Sequence, residues 1–85
     1  MQTIIHEMRG IPYFLLKEYL QEMGGKLIEE NFIQGNGWSV RLERMEPFRF
    51  FSLSVGQTRL TMELDDDVAD DFRQRFAKKT LRAGA

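Results

Sequence analysis

Residues Trp38–Leu64 read WSVRLERMEPFRFFSLSVGQTRLTMEL. Trp38, Val40 and Leu42 alternate with Ser39, Arg41 and Glu43; Phe51, Leu53 and Val55 alternate with Ser52 and Ser54; Leu60, Met62 and Leu64 alternate with Thr61 and Glu63. A period of two places one apolar face against a core and one polar face toward water. The stretch therefore reads as three strands. One ends near Met45-Glu46-Pro47, where proline withholds a ladder hydrogen bond and belongs at a strand start or a bulge. Another turns into the last at Gly56-Gln57. Phe51, Leu53 and Val55 are expected to face inward.

Outward from this meander, each flank supplies a helix. Pro12, with its preset φ, opens a helix whose apolar stripe is Leu16, Leu20 and Met23, with Leu15 and Tyr19 alongside. Gly24-Gly25 closes it. After Leu64, Asp65, Asp66 and Asp67 cap a second helix with negative charge at the positive end of its dipole. Val68, Phe72 and Phe76 form its stripe, Asp71 and Arg75 are spaced for an i,i+4 pair, and residues 80–85 read as a frayed tail. Residues 2–8 read as a first strand around Ile4 and Ile5. Lys26–Gln34 reads as another, with Ile28 and Phe32 inward, ended by the turn Gly35-Asn36-Gly37. The order is β-α-β-β-β-β-α. It describes a single α+β domain over residues 1–85, a two-layer sandwich of an antiparallel sheet with both helices on one face.

Composition excludes several classes of function. With 85 residues and no cysteine there is neither disulfide nor thiolate chemistry, and a net charge of −1 lacks the basic excess of a dedicated phosphate-backbone binder. There is no apolar run long enough for a membrane span, and MQTIIHEMRG is not a secretion signal, so a cytoplasmic location is expected. His6 is the only histidine. It shares parity with Ile4 and Met8 and reads as a partly buried, hydrogen-bonded core residue, because catalysis needs an orienting partner and a nucleophile. The aspartates around residues 65–71 are accounted for by helix capping, since a hard-cation site needs oxygens converging from a loop. No catalytic, metal or cofactor site is expected.

The remaining candidate is the sheet face that the helices leave bare. If Phe51, Leu53 and Val55 point inward, Phe48 and Phe50 point outward beside Arg41 and Arg59. Aromatics among arginines on an open sheet suit a homodimer or other protein interface, and also single-stranded RNA, whose bases stack on such a platform. Glu43, Glu46 and Glu63 on the same stretch favour protein over polyanion. A bulge at Pro47 that turns Phe48 and Phe50 inward would abolish the patch. A small-molecule pocket walled by Trp38, Tyr13 and Tyr19 is a further reading, disfavoured by the small size of the chain.

The segments IPYFLLKEYL (Ile11–Leu20), GNGWSVRLE (Gly35–Glu43) and the Asp65–Lys79 helix after LTMEL carry a likeness across the whole chain. In order and length the chain resembles one half of the TATA-binding-protein fold. It also resembles a small bacterial domain found as the C-terminal part of MoaD-related proteins. That resemblance implies an accessory domain tied to molybdenum-cofactor synthesis or sulfur transfer. Sulfur carriers end in Gly-Gly, whereas this sequence ends Arg82-Ala83-Gly84-Ala85, so the expectation is an accessory and not the carrier. The likeness to TATA-binding protein implies topology alone; a minor-groove saddle is duplicated and basic.

Overall fold

The computed structural model describes residues 1–84, with side chains through Leu81. The elements are β1 (Gln2–Arg9), α1 (Tyr13–Glu22), β2 (Lys26–Glu29), β3 (Phe32–Gly35), β4 (Trp38–Phe50), β5 (Leu53–Leu64) and α2 (Asp66–Gly84). They form one five-stranded antiparallel sheet in the order β1-β5-β4-β3-β2. The α+β class and the order β-α-β-β-β-β-α are as the sequence predicts.

The core lies between the helices and one face of the sheet. Trp38, Val40 and Leu42 of β4, Leu60, Met62 and Leu64 of β5, and Ile33 of β3 are buried there. They meet Leu16, Leu20 and Met23 from α1 and Ala69, Phe72 and Phe76 from α2. Trp38 packs on Phe72 with ring centroids 4.8 Å apart. The first turn of α1 closes on the Pro12 carbonyl, which accepts from the amides of Leu15 and Leu16, both at 3.1 Å. At the start of α2 the Asp65 carbonyl accepts from Val68 at 3.0 Å, and the predicted Asp71–Arg75 pair forms at 2.9 Å. α2 continues into the segment read as a tail, through Gly84, and Ala85 lies outside the described residues.

Three expectations about the strands within residues 26–64 are corrected. First, Lys26–Gln34 is not one strand. It folds back at Glu30-Asn31 into β2 and β3, so Ile33 is the buried residue while Ile28 is exposed and Phe32 half-buried under Arg41. Second, Gly56-Gln57 is not a turn. β4 and β5 are single long strands, joined at Phe51-Ser52 instead. Their register runs from Trp38↔Leu64 to Met45↔Gln57 and resumes at Phe48↔Val55, so Glu46 and Pro47 together oppose Gly56. This is a β-bulge, a position where proline's missing N–H costs nothing. Third, Phe51 and Leu53 do not face inward: they are 94% and 65% exposed. Along an unbroken β5, residues 53 and 55 share parity with Arg59 and Thr61, not with Leu60 and Met62. The two apolar runs of this strand therefore lie on opposite faces.

At about 3.3 Å per residue the thirteen residues of β4 span roughly 40 Å, which accounts for the molecule's long dimension of 43 Å. The β4–β5 hairpin thus extends past the helices as an arm. His6, expected to be partly buried, is exposed. β1 is an edge strand, and α2 covers its helix-facing side only in part: Ile4 and Met8 are half-buried, but His6 is not.

Candidate functional site: the open sheet face and its arm

The bulge decides which way the aromatics point. Cross-strand partners share a face, so Glu43 and Arg59 define the open side, as do Phe48 with Val55 and Phe50 with Leu53. Without the extra residue at Glu46-Pro47, Phe48 and Phe50 would carry the parity of Leu42 and turn to the helix side. With it they stand on the open side, where Arg9 joins them. The Arg9 guanidinium lies 4.0 Å from the centre of the Phe48 ring and donates from Nε to Gln57 Oε1 at 3.0 Å. Gln57 in turn donates to the Glu46 carbonyl at 3.1 Å, satisfying a carbonyl of the bulge.

At the tip, Phe50 and Phe51 meet edge to face with centroids 4.6 Å apart. Phe51 sits at φ 55°, in the left-handed region that glycine normally fills in a two-residue hairpin turn. A bulky aromatic held in a disfavoured backbone conformation, almost wholly in water, calls for a functional explanation.

The four residues singled out by sequence all stand on this face but do not form one cluster. Phe48 and Phe50 lie on the arm. Arg59 lies at mid-sheet, paired with Glu7 at 3.2 Å and with Glu43 at 4.0 Å. Arg41 is roughly 20 Å further along β4 from Phe48, its guanidinium 4.7 Å from the centre of the Phe32 ring. The cluster instead recruits Phe51, Leu53, Val55 and Arg9, which sequence reasoning had placed inward or left aside. The available signal was the shared parity of residues 53–63. A shallow groove of about 630 Å³ beside the bulge is lined by Met45, Pro47, Phe48 and Arg59, among others.

Elsewhere, Trp38, Tyr13 and Tyr19 do not share a cavity. Trp38 is in the core, Arg44 stacks on Tyr13 at 4.3 Å, and Tyr19 lies beside Lys79. Tyr13 donates to Glu30 at 3.2 Å, and Lys17 bonds the same carboxylate at 3.1 Å. Burial, followed by the Glu30 charge and hydrogen bond, raises the Tyr13 hydroxyl above the usual tyrosine value. The hydrogen bond from Lys17 is the main reason that Glu30 titrates below the usual carboxylate range. This cluster ties α1 to the β2–β3 turn. Among the described residues no three His, Asp or Glu side chains converge as a metal site requires, and no helix is long and apolar enough to cross a membrane.

Residues 4–85 match the sequence model of a family described as archaeal MoaD-like protein. The chain belongs to that family. The match takes in every element of the fold of this MoaD-like chain, from β1 through α2, and so includes the arm and its bulge. The MoaD-related membership expected from the sequence therefore stands, under an archaeal description where the resemblance was to a bacterial domain. Among curated proteins, none matches.

Proposed function

We propose that this MoaD-like domain is a non-catalytic accessory module that docks a protein partner through the open sheet face and the β4–β5 arm, in molybdenum-cofactor or sulfur-transfer metabolism. The observation that carries this reading is the arm tip, where Phe50, Phe51 and Leu53 are exposed together and Phe51 is held at positive φ. An exposed aromatic cluster at the end of a projecting hairpin suits the centre of a protein interface, where rigid aromatics supply most of the binding energy. The arginines of the face are already engaged, Arg59 by Glu7 and Glu43, Arg9 by Phe48 and Gln57, and Arg41 by Phe32. Glu7, Glu43 and Glu63 match Arg9, Arg41 and Arg59 in number on this face, and that lack of a basic excess supports protein over single-stranded RNA.

The test places a photo-crosslinking phenylalanine analogue at Phe51 and, as control, at Glu18 on the exposed side of α1. Recurrent recovery of one protein from Phe51 alone supports the reading, provided that its purified form binds the domain. That binding must also weaken in the Phe50→Ser/Phe51→Ser variant. Crosslinks to RNA, or equal yields at both positions, overturn it. Retention of short RNA at low salt that is lost steeply as salt rises would assign the face to nucleic acid instead.

A further inference from the structure

The two edges of the sheet are built differently. β2 is four residues long, begins on Lys26, and its register against β3 shifts between Leu27 and Glu29. Short, charged, bulged edges resist pairing with another chain. β1 is neither short nor bulged: it runs eight residues without proline or glycine, in unbroken register with β5. The Gly10 amide donates to the Gly56 carbonyl at 3.0 Å on the β5 side. Hydrogen-bonding direction alternates along an antiparallel strand, so the amides and carbonyls of Thr3, Ile5, Glu7 and Arg9 point to the free edge. A regular edge of this length is a template for a further strand.

The helix layer is open at the same edge. Between β1 and α2 runs an apolar groove of about 350 Å³, lined by Ile4, His6, Met8, Phe72, Phe76 and Ala77. On the other side of the strand Ile5 is 64% exposed. Asp66 and Arg73 mark the side of α2 that overlies β1, since Asp66 meets the Met1 amino group at 3.5 Å and Arg73 donates to Gln2 at 2.6 Å. This helix is also polarised in charge. Asp66, Asp67, Asp70 and Asp71 occupy its first half, and Arg73, Arg75, Lys78 and Lys79 its second.

We infer that the β1 edge pairs with the same edge of a second copy of this chain, making one continuous antiparallel sheet of ten strands, twice the five of each copy. A twofold axis at Ile5 sets Ile5 against the partner's Ile5, Thr3 against the partner's Glu7, and Ile4 against the partner's His6. No like charges oppose one another in this register. The same axis runs the two α2 helices antiparallel on one side of the new sheet and sets the two apolar grooves side by side, while Arg75, Lys78 and Lys79 stay on the side of α2 next to Glu22 and Met23, away from the axis. An extended peptide would satisfy the strand edge alone, whereas a second copy also brings its own apolar groove alongside this one, which favours a second copy. This surface is separate from the arm and leaves the open face free, so this inference and the proposed docking fail independently.

The experiment measures solution mass of the full chain by light scattering from micromolar to millimolar concentration, with hydrogen exchange on the same samples. The expected result is a dimer in which the Thr3, Ile5 and Glu7 amides are protected and become fast on dilution. Ile5→Pro removes one free-edge donor without touching the β5 ladder, and Ile5→Lys sets two charges together at the axis. Each should raise the dimer dissociation constant at least about tenfold, with an unchanged circular dichroism spectrum. A monomer at every concentration overturns the inference. So does a dimer whose Thr3, Ile5 and Glu7 exchange ignores dilution, or one broken by Phe50→Ser/Phe51→Ser but not by the Ile5 variants. Should the Ile5 variants unfold, exchange in the unaltered chain decides.

Discussion

Gly35→Ala tests the packing at the centre of the fold. Gly35 pairs with Trp38 across the tight turn at Asn36-Gly37, and a Cβ added at Gly35 would fall within the indole ring, nearest Cε2. The ring has little room to retreat. Phe72 stands 4.8 Å away centroid to centroid, and a Cβ on Gly25 would already meet Trp38 Cη2 at 2.7 Å. Overfilling such a core costs about 1–3 kcal/mol, while replacing glycine by alanine returns roughly 0.5–1 kcal/mol through the unfolded chain. The net loss is about 1–2 kcal/mol. At 0.05–0.15 kcal/mol per residue a domain of 85 residues holds roughly 4–13 kcal/mol, so the variant folds with a Tm lower by about 5–15 °C. Urea and thermal denaturation followed by circular dichroism measure this, with Trp38, the only tryptophan, as a fluorescent reporter. In a Trp38→Phe background the smaller ring relieves the clash, so the same substitution should cost at least about 1 kcal/mol less. Gly56→Ala is the control: a Cβ there meets nothing within 4 Å, and the change is neutral or slightly stabilising. A Gly35→Ala variant as harmless as Gly56→Ala, or equally costly with phenylalanine at position 38, would contradict this packing.

Phe51→Gly should stabilise the isolated domain by about 0.5–1 kcal/mol, by relieving positive φ at an exposed residue, while weakening partner binding; a loss of stability in urea denaturation would show that Phe51 is structural. Phe72→Ala, at a side chain only 1% exposed between Trp38 and Phe76, should cost about 3–5 kcal/mol in the same assay, and a loss under about 1 kcal/mol would contradict the packing. In a Tyr19→Phe background, absorbance titration should show Tyr13 ionising at lower pH once Glu30→Gln removes the adjacent charge, yet still above 10.0 because burial remains; no change on Glu30→Gln would refute the contact. Because folding raises the Tyr13 value, its contribution to stability is complete below pH 10.0 and is lost as pH climbs through the folded value. Glu30, lowered by folding, contributes above pH 4.5 and loses its contribution as pH falls, so Glu30→Gln should flatten the acid side of the stability profile.

The information legible along the chain is local and periodic. The stripe Leu16-Leu20-Met23, the capped helix with Phe72 and Phe76, and the alternations Trp38-Val40-Leu42 and Leu60-Met62-Leu64 specify which side of each element is apolar. Together they determine the α+β class and most of the core. Where strands end was not legible, because Pro47 and Gly56 carry the same signals whether they break a strand or sit opposite one another in a bulge. Only the register between β4 and β5, a relation between residues up to 26 apart in sequence, distinguishes the two. That register sent Phe48, Phe50, Leu53 and Val55 to the open face and put the turn at Phe51. His6 shows the same limit, since its parity places it toward the helices but only the sheet order makes β1 an edge that α2 covers in part. Periodicity is a property of a chain segment, whereas exposure depends on what the rest of the molecule brings to cover it. The arm, the free edge and the groove beside it therefore arise from strand register and packing between distant segments.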